Sequence, residues 1–278
     1  MSTMTFGPPI VLDDGHLPVA PPHSLLKTPG VVKEPPDEHW LSGATVYPYP
    51  EGPPSTWDPC STGTFRTKEE GEGVDLNSFA SFVVYLPITC SSMSIGDPDE
   101  FMQRAEIALE AVESFAIEQQ LSQGTAIPTN PFFGMAGVSL PAGAGAVTAG
   151  IGLAWLEEAI GATGKQGMIH STPGPVAHWN NLGVSLIDGN LISANGNRVV
   201  AGGGYAGATP SGGGAAASGQ SWVYATGPVE VRHSAVAIPD ISEVLDRTIN
   251  EVTFRAERYV LATWDTHPHA AVLIDWAP

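Results

Sequence analysis

From Asp97 to Gly124 the chain carries one uninterrupted helical pattern, and the length of that pattern constrains the fold more than any other feature. Asp97 is a good N-cap residue, Pro98 suits the first helical position, and Asp99 and Glu100 favour the positive end of the helix dipole. Phe101, Ala105, Ala108, Leu109, Val112, Phe115 and Ala116 then recur at helical spacing, and Gly124 closes the pattern as a C-cap. About 25 residues at 1.5 Å each make a rod of about 38 Å, long for a compact domain. Glu106, Glu110, Glu113 and Glu118 are expected on its solvated or interfacial side rather than as a catalytic set. The rest of the chain is of another kind. With 32 Gly, 25 Pro and only 14% charged residues, it favours extended loops, turns and close backbone packing. Apolar residues at 42% and seven Trp supply a core and exclude disorder over most of the length.

The formal charge of −18, with only 11 Lys and Arg, excludes the basic footprint that phosphate binding needs. Nucleic acid near such a protein is enclosed rather than gripped, and an anionic membrane surface repels it. Cys60 and Cys90 are too few for a disulfide framework and are read as reduced thiols. The opening MSTMTFGPPIVLDDGH lacks a basic region followed by an apolar stretch, so no signal peptide is expected. Gln119 to Trp155 contains no charged residue and is long enough to span a bilayer, but Pro141, the glycines and the lack of a flanking Lys/Arg cluster favour a buried or interfacial loop.

Residues 1–40 read as an extended N-terminal arm punctuated by Pro8-Pro9, Pro21-Pro22 and Pro35-Pro36, with no periodicity able to bury a face of its own. Such an arm is expected to be ordered by another subunit. Residues 41–78 read as a protruding extended loop, with Tyr47, Tyr49 and Trp57 among prolines and Lys68, Glu69, Glu70 and Glu72 at a solvated tip. Phe79 to Thr89 is a strand candidate. Beyond the uncharged stretch come a short helix, Leu153 to Ile160, a strand, Gly167 to Ser171, and a helix opened by Pro173 or Pro175 carrying Val176, Trp179 and Leu182. Leu191 to Val200 reads as a hairpin about Asn195-Gly196, and Gly202 to Gln220 as a flexible loop. Trp222 to Ala225 and Val229 to Arg232 flank Gly227-Pro228, and a short helical piece is expected near Ile241 to Leu245. Val252 to Trp264 alternates, with Arg258 the exception on its apolar face, and Ala270 to Trp276 suits a buried strand. The fold class is α+β.

Motifs for chemistry are weak. Gly202, Gly204 and Gly207 satisfy G-x-G-x-x-G after Val199-Val200, but Pro210 and Gly212 to Gly214 follow where a dinucleotide site needs a helix. Gly164-Lys165 fails as a P-loop, because position 159 is Ala and position 166 is Gln. His267 and His269, with Asp265 and Asp275 nearby, are the one arrangement resembling zinc ligands, yet Pro268 separates them and no third ligand is specified. His170 and His178 have no marked nucleophile. No catalytic, cofactor-binding or metal residue is assigned, and no cofactor is expected.

The order of elements resembles the capsid fold shared by tailed phages, encapsulins and the herpesvirus capsid floor. Asp99 to Gly124 resembles its spine helix, Leu153 to Trp179 the helix–strand–helix of its axial domain, and Leu191 to Gly207 the strand pair that follows. Glu251 to Asp265 with Ala270 to Trp276 resembles the closing strands of its peripheral domain, and these with Ile169 to Pro173 are similar to proteins of actinobacterial phages. The resemblance covers residues 80–278. It implies a peripheral domain over 79–130 and 226–278 and an axial α/β domain over 131–225. It further implies a structural subunit, not an enzyme: a major capsid protein assembling in the host cytoplasm into pentamers and hexamers of an icosahedral virion head. The head would enclose double-stranded DNA without reading its sequence, with scaffold, portal and decoration proteins as partners and no membrane. Tyr47, Tyr49, Trp57 and Lys68 are the candidate intersubunit contacts. Some members of the family crosslink a loop Lys to an Asn of a neighbour, but no acceptor for Lys68 can be matched here. The alternatives are an encapsulin-type compartment and another virion component such as a tail or connector protein.

Overall fold

The computed structural model describes residues 18–35, 38–47, 76–91, 98–143, 145–238, 245–246 and 251–277. Two short strands, β1 (Ala44–Val46) and β2 (Asn77–Phe79), pair antiparallel at the root of the loop expected from the sequence. β3 (Phe82–Ser91) leads to α1 (Pro98–Gln123), the long helix, which ends where Gly124 takes φ +67°. Then come β4 (Val147–Thr148), α2 (Ala149–Gly161), β5 (Met168–Ser171), α3 (Pro173–Trp179), β6 (Ser185–Ile187), β7 (Asn190–Ile192) and β8 (Arg198–Ala201). β9 (Gln220–Thr226), β10 (Val229–His233), β11 (Leu245–Asp246), β12 (Glu251–Trp264) and β13 (His269–Asp275) follow.

These strands form two main sheets. In the smaller one β12 is the common partner of β3, β10 and β11, all antiparallel. The larger runs β4-β13-β9-β5-β8-β7-β6. Neighbouring residues of its central strands belong to different cores. Met168, Val200, Trp222, Tyr224 and Ala271 join the core that includes Leu109, Ile117 and Leu121 of α1. Ile169, Val199, Val223, Ala225, Ala270, Val272 and Ile274 join the core of α2 and α3. A sheet covered on both faces needs apolar residues at every position rather than alternate ones. That is the physical reason for the unbroken apolar run at Ala270 onward. α1 packs on β12 and β3 of the smaller sheet, and its buried residues share a core with one face of the larger.

Several expectations are corrected. The two closing strands do not pair with each other: β12 centres the smaller sheet and β13 lies inside the larger. Chain crossing between sheets occurs twice at one place. Gly227-Pro228 carries β9 to β10, Asp265–His269 carries β12 to β13, and Gly227 N donates to Asp265 O (3.1 Å) while Asp265 N donates to Pro228 O (3.0 Å). The described part of the arm, 18–35, is not left for a neighbour to order. Leu25 and Val31 are fully buried in this chain's own core, Ala201 N donates to His23 O (2.8 Å), and Val31–Lys33 runs parallel to β10 through hydrogen bonds to Val231. Ile241–Leu245 as a short helix is not observed at its described end, since Leu245 lies in β11, and 241–244 fall outside the described residues. Leu182 lies beyond α3 and is exposed.

Gly202–Gln220 is tightly held at its start rather than flexible. Tyr205 is buried, Gly204 N donates to Glu118 Oε2 (3.0 Å), and a Cβ on Gly204 would overlap the Phe115 carbonyl and the Glu118 side chain. Close approach of backbone to α1, not phosphate binding, is what this glycine provides. Gly204→Ala is therefore expected to lower stability by about 2–3 kcal/mol through forced displacement of the turn, a loss chemical denaturation can measure.

Candidate assembly surface

The smaller sheet has one covered and one open face. Ala256, Arg258 and Val260 of β12, with Leu86, Val84 and Phe82 of β3 opposite them, face α1, and Arg255, Glu257 and Tyr259 face away. On the open face Val83, Tyr85 and Pro87 of β3 stand across from Tyr259, Glu257 and Arg255 of β12. Tyr85 is 60% and Tyr259 44% exposed, a large apolar presence for solvent-facing sheet positions. Farther along, the same face enters a groove of about 530 Å³ floored by β10 and β12 and walled by Trp40, β1 and Tyr47. Ile151 and Leu182 are also exposed, as are Leu186 and Ile187 on β6, the terminal strand of the larger sheet.

Of the four contacts expected from sequence, Tyr47 is described and is 76% exposed at the groove's rim. Tyr49, Trp57 and Lys68 lie outside the described residues, as does Cys60. Sequence reading missed Tyr85, Tyr259, Trp40 and the groove. The signal for the first two was the odd register of β12, which carries Tyr259 among polar residues.

Residues singled out for chemistry occupy structural positions. His170 is fully buried, with Nδ1 3.1 Å from Tyr205 Oη and Nε2 2.9 Å from Thr226 Oγ1. Burial alone drives its pKa down to about 3, so it is a neutral core group at pH 7. Its ring lies 4.5 Å from that of Phe133, which Trp264 meets edge-on at 5.0 Å. His269 Nε2 donates to Phe133 O (2.8 Å), burial lowers its pKa, and Asp275 sits at the opposite end of β13. Among the described residues no group of three or more His, Cys, Asp or Glu is placed to hold a metal ion. Among the described residues, too, no helix is long and apolar enough to cross a membrane. The uncharged stretch instead supplies the last turn of α1, the loop bearing the buried Phe133, and β4 with the start of α2.

Two carboxylates of α1 expected on its solvated or interfacial side are buried within the chain itself. Arg258 Nη1 lies 2.9 Å from both oxygens of Glu113, and its Nη2 lies 3.2 Å from Glu110 Oε1. Glu118 accepts from Leu25 N (3.0 Å), Gly204 N (3.0 Å) and Ser114 Oγ (3.0 Å), so one side chain ties arm, helix and glycine turn together. Burial raises the pKa of both carboxyls against the opposing pull of Arg258 on Glu113 and of the hydrogen bonds on Glu118.

By sequence, no family model and no curated protein matches the chain. Structure comparison does. A chain of the phage G assembly of gp27 major capsid proteins and gp26 decoration proteins is similar at TM-score 0.56, with 10% identity and 99% of each chain covered. A chain from Mycobacterium phage Cain matches at TM-score 0.55 with 10% identity over 98% of this chain and 95% of that one. A capsid chain of an empty GTA particle matches at TM-score 0.52 with 11% identity over 100% and 95%. The likeness runs along the whole chain, which has the capsid fold of tailed bacteriophages.

Proposed function

We propose that this chain is the major capsid protein of a tailed phage, assembling into pentamers and hexamers of an icosahedral head around double-stranded DNA. The observation that supports it best is likeness along the whole length: the capsid chains matched are covered over 95–99% of their own length. Exposed Tyr47, Tyr85 and Tyr259 supply amphipathic anchors of the kind that carry interfaces. The open ring of identical contacts needed for closure comes from point-group symmetry. An inner surface poor in Lys and Arg would hold packaged DNA without gripping it. On this reading the protein is structural, belongs to the virion, and meets scaffold, portal and decoration proteins through its surfaces.

Electron microscopy of concentrated purified protein tests the reading. Closed shells or five- and six-fold capsomers are the expected result, and particles from infected cells should contain DNA. A chain that stays monomeric at high concentration contradicts it, tubes or single rings point to a tail or connector role, and a shell filled with an enzyme and no DNA points to a compartment.

A further inference from the structure

Asn195-Gly196 forms the tip of the β7–β8 hairpin and carries a reactivity that assembly does not use. Ser193 N donates to Asn197 O (2.9 Å) and Gly196 N to Ser193 O (3.0 Å), which closes a three-residue loop with Gly196 in the left-handed region at φ +84°. Asn195 is exposed. The carboxamide carbon of an asparagine is an electrophile for the amide nitrogen of the next residue. When that nitrogen attacks Cγ, the Cγ–Nδ2 bond breaks, ammonia leaves and a five-membered imide forms. Water then opens the imide at either carbonyl to give aspartate or isoaspartate, with no change of oxidation state. A side chain on the attacking residue obstructs the first step, and glycine has none. Apart from its chain neighbours, a Cβ on Gly196 would meet only Gln166 Nε2 within 4 Å, at 3.4 Å, so packing does not close the approach either.

Glu157 of α2 is what opposes the reaction. Its Oε2 accepts from Asn195 Nδ2 (2.6 Å) and from Asn197 Nδ2 (3.0 Å), while its Oε1 is buried without a partner, so among the described residues these two carboxamides are what the carboxylate binds. Asn197 is fixed a second time, since its Oδ1 accepts from Gly167 N (2.9 Å) and its N donates to Ser193 Oγ (3.1 Å). Among the described residues the Asn195 side chain has no second anchor, and Glu157 alone fixes where it points. The group that Glu157 holds is the NH₂ that must leave, and the oxygen that replaces it would face a carboxylate. Gly196 N meanwhile keeps its proton on Ser193 O within the loop. Hydrogen bonds to a charged acceptor are roughly twice as strong as those to a neutral one, so the restraint from α2 outweighs the one within the loop.

We propose that Asn195 is a site of deamidation held in check by Glu157, and that loss of its amide turns the same contact into a repulsion that loosens the hairpin tip. The test incubates the full chain at mildly alkaline pH, folded and unfolded in guanidinium chloride, and follows residue 195 by peptide mass spectrometry with an isoaspartyl methyltransferase assay. Folded wild type should deamidate at least about tenfold more slowly than unfolded, and Glu157→Ala about tenfold faster than folded wild type, with hydrogen exchange at Val199 and Val200 showing β8 still paired. Equal rates in folded and unfolded wild type, or no acceleration in Glu157→Ala, overturn the proposal. Should β8 open in Glu157→Ala, Glu157→Gln decides: it keeps an acceptor oxygen and loses the charge, so acceleration of about threefold is expected and none overturns the proposal. Asn195→Asp installs the product directly. Its Ser193 and Asn197 amides, bonded in the loop of the wild type, should exchange faster, and adding Glu157→Gln should slow them again; exchange no faster than in the wild type overturns the repulsion and with it the proposal.

Discussion

Replacing Arg258 by Met is expected to lower the thermal midpoint by roughly 6–10 °C. Arg258 and Glu113 are 6% and 5% exposed and meet through a two-pronged contact at 2.9 Å. Removing one partner of a buried pair strands the other and costs about 3–5 kcal/mol, and each kcal/mol shifts a chain of this size by about 2 °C. The pH dependence separates charge from packing. Glu113 has a pKa raised in the folded state by burial, with Arg258 as the largest opposing influence. A raised carboxyl pKa means stability present below the unfolded value near 4.5 and lost as pH rises through the folded value. Without Arg258 that loss grows, so the deficit of the variant should be greatest at neutral pH and shrink on acidification toward pH 4.5. A deficit that does not change with pH would show that only methylene packing was lost. Adding Glu113→Leu to Arg258→Met should restore most of the stability, since an apolar pair of similar volume can replace a buried ion pair at little cost.

Glu118 is the second large case. Substitution by Ala leaves the N–H groups of Leu25 and Gly204 buried without an acceptor. At about 1–3 kcal/mol per stranded donor, partly offset by relief of a buried charge, the expected loss is about 3 kcal/mol. It should be accompanied by faster hydrogen exchange at Leu25, Leu26 and Gly204 while the centres of β9 and β13 stay protected. Glu118→Gln keeps one acceptor oxygen and no charge, so it should lose less. Burial outweighs the three hydrogen bonds and raises the Glu118 pKa, so its contribution falls as pH rises from about 4.5 through the raised value. The Gln variant should flatten that part of the stability curve. If exchange at Leu25 is unchanged in Glu118→Ala, the arm is held by apolar burial alone.

The long helix was legible because its signals are local: a cap, a period and a closing glycine within one stretch. What its acidic side chains do was not legible, because their partners lie 145 residues away at Arg258 and 93 and 86 residues away at Leu25 and Gly204. The same holds for the arm. Leu25 and Val31 are anchored by residues far along the chain, and no period marks them. Asp188-Gly189 is a different kind of miss. Both take positive φ, +48° and +79°, between β6 and β7, and the Asp-Gly pair flanked by Leu186-Ile187 and Leu191 is a strong hairpin signal that the reading passed over. At Gly227-Pro228 and Asp265–His269 the turn residues were evident, but whether a turn folds a strand back on its neighbour or hands it to another sheet is decided by what covers each face. For the surface, Tyr47 could be picked out among prolines. The groove could not, since it is assembled from residues near 40, 230 and 263.

The placement of β12 and β13 has a consequence for synthesis. Each is an interior strand of its sheet: β12 takes partners on both edges, and β13 lies between β4 and β9. A ribosome that has made residues 1–250 has produced β9-β5-β8-β7-β6 of the larger sheet but only the margins of the smaller one, β3, β10 and β11, which meet through β12 alone. The smaller sheet, and with it the open face that carries Tyr85 and Tyr259, therefore comes into being only once translation has passed Trp264.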